Sequence, residues 1–186
     1  PEASEVAMSG HAVAWLYEGD EPLRVSAPGM DITDGAEGRA LTAWSGAALH
    51  FGDVTAAADS LTWSEGEGRV DLEGVPVLWN GEDQLTGDSV RLFLTGGEPE
   101  RLEVRGHAFV ASPAGRSLHH QLAGRDLDGL FTDGKLETMV MVGNGRTLYF
   151  AEPDTAAERQ ALADSVPLPL PQVNRAACTE IRMALD

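Results

Sequence analysis

The sequence contains one short pattern four times: an alternating apolar strand, then Thr or Ser, then an acidic residue or Gly, and then Gly. The last residues of the four copies lie 31, 31 and 37 residues apart, and they are Gly35, Gly66, Gly97 and Gly134. Each is followed 8 to 11 residues later by a second glycine, and these are Gly46, Gly74, Gly106 and Gly143. A period near 30 residues is typical of a repeated supersecondary unit. We therefore expect similar units placed side by side.

Each unit predicts a β-hairpin. Asp-Gly and Gly-Gly pairs between alternating runs favour tight hairpin turns, because these turns need a positive φ that glycine adopts without a Cβ clash. After two of the turns, residues 69–73 and 101–105 alternate charged and apolar side chains with a period of two. This period indicates strands with one wet face and one buried face. The predicted fold class is therefore all-β.

One stretch departs from the strand pattern. Residues 154–164 are rich in helix formers, and Asp154 is placed to act as an N-cap. Three prolines at alternate positions follow within residues 166–171, which excludes a paired central strand there. We therefore predict an insertion at residues 152–172 that contains a short helix and a Pro-rich connector.

The pattern is incomplete at both ends of the chain. Residues 9–13 resemble the exit strand of a unit, and residues 181–185 resemble the entry strand of another. Natural caps are the less favoured alternative, because capping repeats usually depart from the pattern. The expected organisation is one domain over residues 1–186, cut from a longer array.

The charge balance is strongly acidic, with 30 Asp and Glu against 13 Lys and Arg and a net charge of −17. Such a surface repels the phosphates of nucleic acids and anionic membranes, so neither is an expected partner. Lys135 is the one lysine of the sequence, and this balance is typical of a halophilic protein whose self-repulsion is screened by salt. A generic acidic protein is the alternative. No apolar run reaches the roughly 18 residues of a membrane-spanning helix.

Few residues suggest catalysis or metal binding. The histidines show no metal-ligand spacing beyond one adjacent pair, His119-His120, which we expect in a polar loop within a small insertion at residues 114–121. Cys178 is expected to be a buried thiol in a strand rather than a nucleophile. A lyase site on a parallel β-helix is the enzymatic alternative, but no repeated Asp, Lys and Arg constellation supports it. We therefore predict no catalytic residues, no metal ligands and no cofactor.

Large apolar residues occupy the inward phase of the units. An ordinary packed core is one interpretation, and on periodicity alone it is the simpler one. The other interpretation is an apolar groove, lined by adaptable Met, Leu and Val side chains, that holds an acyl chain. The candidate lipid-binding residues are Ile32, Trp63, Leu72, Leu94, Leu102, Val104, Phe131, Met139 and Met141.

Three segments resemble a known family. Residues 124–150 combine an alternating strand with Asp-Gly and Gly-Asn turns, and residues 85–94 and 174–183 follow related patterns. These segments resemble the OstA-like (organic solvent tolerance) family, the LptA type of periplasmic lipopolysaccharide-transport proteins. The resemblance spans most of the chain and is best over residues 55–150, whereas the insertion at residues 152–172 is not part of the family pattern.

The resemblance implies an open, twisted β-jelly roll with an apolar interior. It further implies that acyl chains of lipopolysaccharide or another lipid lie inside, and that copies of the protein, or other OstA-like proteins, stack end to end through edge strands. The implied location is the periplasm or cell envelope. We therefore expect a non-enzymatic lipid-binding or transport module of the lipopolysaccharide-export type. The alternative is a structural or adhesive β-solenoid with a packed core and no ligand.

Overall fold

The structure is a computed structural model that describes residues 4–17, 22–115, 117–133, 135–151, 160, 163–164, 166 and 171–184. The strands of this part of the chain form one sheet, and each of its pairings is antiparallel. The predicted all-β class, an open twisted sheet folded on itself, is confirmed. The antiparallel pairing also differs from that of the parallel β-helix considered as the enzymatic alternative.

Fourteen strands make up this sheet. They are β1 (Ser4–Leu16), β2 (Leu23–Gly35), β3 (Gly38–Phe51), β4 (Val54–Ser64), β5 (Arg69–Glu73), β6 (Val77–Asn80), β7 (Asp83–Thr86), β8 (Ser89–Thr95), β9 (Glu98–Arg105), β10 (Phe109–Pro113), β11 (His119–Ala123), β12 (Asp126–Thr132), β13 (Lys135–Phe150) and β14 (Val173–Ala184).

Two long strands, β4 and β13, each belong to two layers of the folded sheet. The second half of β4 pairs with β5 and its first half pairs with β6. Likewise, the first half of β13 pairs with β12 and its second half pairs with β11. Between them run two four-stranded layers, β5-β8-β9-β12 (layer 1) and β6-β7-β10-β11 (layer 2). The layers therefore share β4 on one side and β13 on the other.

The predicted hairpins are present. Strands β2 and β3 pair up to Gly35 and Gly38, and β4 and β5 are joined by a turn that contains Gly66. Strands β8 and β9 are joined at Gly97, and β12 and β13 pair up to Thr132 and Lys135, although Gly134 lies outside the described residues. In the three units whose first glycine is described, that glycine thus marks a hairpin turn.

Three of the four second glycines mark the places where the chain passes from layer 1 to layer 2. Gly74 connects β5 to β6 with φ +83°, and Gly106 connects β9 to β10 with φ +70°. Gly143 lies at a bulge inside β13 with φ +81°. These backbone angles are in the left-handed region, where a Cβ atom is disfavoured. At Gly106 the neighbours disfavour it as well, since an added Cβ would overlap the carboxyl group of Asp88.

We predict that Gly106→Ala destabilises the fold more than Gly96→Ala does. Both positions have positive φ, so each substitution carries a strain of roughly 1–2 kcal/mol. Gly96 has open space around an added Cβ, whereas Gly106 does not. Urea unfolding should show an additional loss of at least about 1 kcal/mol for Gly106→Ala, because the Asp88 side chain must move. Equal losses would show that the corner tolerates a side chain.

The core consists of inward-facing apolar side chains from alternate positions of the strands. Among the described residues, no polar or charged side chain is buried. Trp63 is the largest fully buried side chain, and Arg39 lies over its ring, with the guanidinium carbon 5.8 Å from the ring centroid. Alternation of the strands thus produces the continuous apolar interior that the sequence pattern predicted.

One charged pair connects two neighbouring hairpins. The Arg39 backbone N and Nε donate to Glu65 Oε2 at 2.8 and 3.1 Å, and Nη2 donates to Oε1 at 2.9 Å. These hydrogen bonds lower the pKa of Glu65 to about 2. The bonds from the Arg39 side chain have the larger effect, and the bond from its backbone has the next largest. The carboxylate therefore holds the β4–β5 turn against the start of β3.

We predict that Glu65 contributes a pH-dependent part of the stability. Because the pKa of Glu65 is about 2 in the folded protein and near 4.5 in its ordinary state, its contribution is present above pH 4.5 and is lost as the pH falls toward 2. The difference in unfolding free energy between the parent and Glu65→Gln should therefore shrink over that range. Glu98→Gln is the control, since Glu98 is exposed and makes no ion pair within the described part of the chain, so the loss of its carboxylate should change the stability little.

Two sequence predictions are wrong. His119 and His120 do not lie in a polar loop, because β10 and β11 form a hairpin in which Pro113 pairs with His119. Cys178 lies in a strand as expected, but its side chain is exposed, like those of most residues of β14. The predicted insertion at residues 152–172 falls mostly outside the described residues; within it, Asp164 N donates to Gln160 O at 2.9 Å.

Candidate functional site

An apolar cavity of about 170 Å³ lies between the two layers, toward the side where β13 and β14 complete the sheet. Layer 1 supplies one wall and layer 2 the other, and β4, β13 and β14 supply the sides. The apolar residues that line it are Val54, Leu78, Leu85, Leu92, Leu102, Val110, Leu122, Phe131, Leu136, Met139 and Met183. An apolar cavity of about 150 Å³ is large enough to hold benzene and stays dry when empty.

The deepest part of the cavity is lined by buried leucines and a methionine. Leu102 on β9, Leu122 on β11 and Met139 on β13 are all nearly inaccessible to solvent. They come from both walls of the cavity, because β9 belongs to layer 1, β11 belongs to layer 2 and β13 pairs with both. The cavity is therefore a gap between two apolar faces, and it is suited to a hydrocarbon group.

The rim of the cavity is aromatic on one side. Trp79 is 38% exposed and Tyr149 is 46% exposed. His120 stacks on Tyr149, with ring centroids 4.4 Å apart and the planes inclined by 8°. Its Nδ1 accepts the backbone N–H of Phe150 at 3.2 Å, so the neutral ring carries its proton on Nε2. These contacts hold the imidazole at the rim.

Polar side chains complete the same side of the rim. They come from the β6–β7 hairpin, from β10 and β11, and from the second half of β13. The polar residues that line the cavity are Asn80, Asp83, Gln84, Ser112, His120, Gln121, Thr147 and Tyr149. The cavity thus has an apolar floor and a polar rim, and Asp83 is the carboxylate among these rim residues.

The structure separates the nine candidate residues into three groups. Leu102, Phe131 and Met139 line the cavity. A second group is fully or almost fully buried in the packed core away from the cavity lining, and it consists of Trp63, Leu72, Val104 and Met141. Ile32 and Leu94 are partly buried and pack against that core. The assignment of all nine as lipid-binding residues stays a prediction.

Sequence analysis missed the wall that layer 2 supplies. Leu78, Leu85, Val110 and Leu122 lie on strands of four or five residues, which lie outside the four hairpin units of the pattern. One signal was available, because Asn80-Gly81 lies between Leu78 and Leu85 and is a strong hairpin-turn pair.

Two other kinds of site were sought in the described residues. There, no group of three or more His, Cys, Asp or Glu side chains is arranged to hold a metal ion. Within the same residues, no helix has the length and apolar character that crossing a membrane requires.

The fold and the cavity define an all-β protein whose folded antiparallel sheet encloses an apolar cavity between two layers. Comparison with family models gives no match, and comparison with curated proteins gives none either. Among solved structures, the chain is similar to the crystal structure of LptH from Pseudomonas aeruginosa, the LptA homologous periplasmic component of the lipopolysaccharide transport device. The identity is 17% and the TM-score 0.45, over 66% of this chain and 93% of that one.

We predict that two methionines on the inward face of β13 respond differently to truncation. Met141 is fully buried in packed core, so Met141→Ala should cost roughly 2–5 kcal/mol of unfolding free energy. Met139 lines the cavity, and fewer atoms pack against its side chain there, so Met139→Ala should cost less. Chemical denaturation of both variants measures the difference. Similar large losses would show that the cavity wall is as tightly packed as the core.

Proposed function

We propose that this protein is a non-enzymatic lipid-binding module of the lipopolysaccharide-export type, which holds an acyl chain between the two layers. The observation that carries this proposal is the apolar cavity that Leu102, Leu122 and Met139 line from facing layers. A packed sandwich would place these side chains in mutual contact and leave no room for a ligand.

The size of the cavity supports a single chain rather than a bulky ligand. About 170 Å³ is below the roughly 300–1,000 Å³ of pockets that enclose drug-sized molecules. Each buried methylene contributes about 0.8 kcal/mol, so six of them contribute about 5 kcal/mol. Binding also costs the freedom that the ligand loses, so the net affinity is weaker than this burial alone would give. Reversible loading of part of one acyl chain is the function that such a cavity can perform.

The edges of the sheet support association with further copies or with other OstA-like proteins. Among the described strands, β1 pairs only with β2, and β14 pairs only with β13. The outer side of each edge strand has backbone donors and acceptors that an added strand can pair with. Stacking through these edges would align the apolar interiors of successive copies. We place such an assembly in the periplasm or cell envelope, where lipopolysaccharide or another acyl lipid would be the cargo.

A structural or adhesive role is the second candidate, and one observation favours it. Away from the cavity the interior is closed, since Trp63, Val104 and Met141 are fully buried. A protein whose interior is packed throughout in solution would need no ligand. The two candidates therefore differ in whether the cavity accepts an apolar molecule.

We predict that Leu136→Trp blocks the cavity and that Leu130→Trp does not. Leu136 is a partly buried residue of the cavity wall, whereas Leu130 is 52% exposed on the opposite face of the neighbouring strand. Fluorescence titration with N-phenyl-1-naphthylamine, an uncharged apolar dye, measures the affinity, and displacement of the dye by lipopolysaccharide tests the cargo. Leu136→Trp should weaken dye binding at least tenfold, and Leu130→Trp should bind like the parent. Because the dye is bulkier than a single acyl chain, decanol is also titrated directly by calorimetry, and absence of binding of both compounds to the parent protein would favour the structural role.

A further inference from the structure

The cavity contains one charged side chain and no cation among the described residues that line it. Asp83, in the β6–β7 hairpin, is the charged group, and Arg and Lys are absent from this lining. The neighbouring rim groups are amides, hydroxyls and aromatic rings. An anionic head group at this rim would meet a carboxylate and no compensating positive charge.

The described arginines of layer 1 are engaged elsewhere. On the outer face, Arg91 Nε lies 2.6 Å from Asp71 Oδ1, and Arg105 Nη2 lies 2.7 Å from Asp128 Oδ1. Glu103 lies between these pairs and contacts both arginines, at 3.9 and 3.3 Å. This row of charges runs across β5, β8, β9 and β12 on the side opposite the cavity. It neutralises acidic residues and leaves none of these cations to attract an anion into the interior.

The uncharged polar groups of the rim are free to bind a ligand. Within the described part of the chain, the side chains of Asn80, Gln84, Ser112 and Gln121 form no hydrogen bond. Together they offer amide N–H donors, amide oxygens and a hydroxyl, which are the partners that alcohol groups need. Trp79 and Tyr149 add exposed ring faces beside them, on which the C–H faces of a sugar can stack.

We propose that the rim selects an uncharged, hydroxyl-rich head group, of the sugar or glycerol type, on a lipid whose acyl chain enters the cavity. This inference rests on the proposed function, since it concerns the head group of the same ligand, and of the two kinds of cargo named there it favours another, uncharged acyl lipid over the phosphate-bearing lipopolysaccharide. The apolar floor binds the chain without regard to its head. Selection occurs at the rim, where the amides and hydroxyls replace water around alcohol groups and where Asp83 repels phosphate, sulfate or carboxylate. The net charge of −17 adds a long-range repulsion of the same sign.

The test compares amphiphiles of one chain length with different heads. Decyl maltoside, monodecanoylglycerol and decyl sulfate are titrated below their aggregation concentrations, each as a competitor of N-phenyl-1-naphthylamine. We expect both neutral compounds to bind at least fivefold more tightly than decyl sulfate at low salt. The gap should narrow in molar salt, because screening weakens only the repulsion of the anion. Whichever neutral compound binds more tightly assigns the head group to the sugar or the glycerol type.

Two variants examine the role of Asp83. Asp83→Asn should improve binding of decyl sulfate several-fold and leave decyl maltoside within twofold of the parent. Asp34→Asn is the matched control, because Asp34 is an exposed carboxylate at the β2–β3 turn and outside the cavity lining. It should change neither affinity. Circular dichroism verifies that both variants retain the fold.

The results that overturn the inference differ from those that overturn the proposed function. If decyl sulfate binds as tightly as the neutral compounds, or if Asp83→Asn and Asp34→Asn behave alike, the head-group selection is wrong and the lipid-binding function stands. If the dye binds but none of the amphiphiles displaces it, the selection is again wrong. If neither the dye nor decanol binds to the parent, the proposed function fails and the inference fails with it.

Discussion

The folded sheet depends on backbone angles that most residues avoid. An antiparallel sheet with one apolar face buries that face only if it bends over on itself or meets a second sheet. In this chain the passages from layer 1 to layer 2 are made at points of positive φ, at Gly74, Gly106 and Gly143, whereas the return passages, which lie within the described residues, have no residue of positive φ. The residue after each of these glycines also has positive φ, although it carries a side chain: Val75, His107 and Asn144. Two consecutive left-handed residues turn the strand sharply enough for its continuation to enter the other layer.

The shared strands explain where the interior is closed and where it is open. Strand β4 pairs with both layers, so the layers must be close beside it, and Leu61 and Trp63 on this strand are fully buried. Strand β13 also pairs with both layers, and Met141 is fully buried on it, whereas Leu136 and Met139 on the same strand line the cavity. Between the two strands, the layers are held together only by packing of side chains and by the corner connections. A cavity is therefore able to form there without breaking a strand pairing.

The repeated turns and the inward alternation were readable from the sequence because they depend on local chemistry. Glycine at a hairpin turn and a period of two along a strand report on residues close in the chain. The order of strands across the layers was not readable, since pairings such as β5 with β8 and β11 with β13 join segments that are separated in sequence. The prediction of a loop at His119 and His120 failed for a different reason. A strand of five residues gives too short a pattern to distinguish it from a polar turn.

The candidate site was only partly predictable. Leu102, Phe131 and Met139 were identified from their inward phase, and they do line the cavity. The same phase also selected Trp63 and Val104, which are packed in closed core, because alternation tells which face a residue occupies and not how far apart two faces lie. The distance between layers is a property of the whole sheet. It depends on the connections between the layers and on the shared strands, and the apolar pattern of the sequence indicates neither.

The connection between β13 and β14 has a consequence for how the chain tolerates changes in length. Ala151 N donates to Gln172 O at 2.9 Å, and Phe150 pairs with Val173, so the chain leaves the sheet and returns to it at one point. The free-energy cost of bringing two ends of a chain together grows only with the logarithm of the length between them, and doubling that length costs about 0.6 kcal/mol. Because the ends of this connection are fixed by strand pairing, the stability of the sheet depends only weakly on the length of the connection. It is the natural position at which to graft a reporter peptide or a second domain beside the cavity without altering either layer.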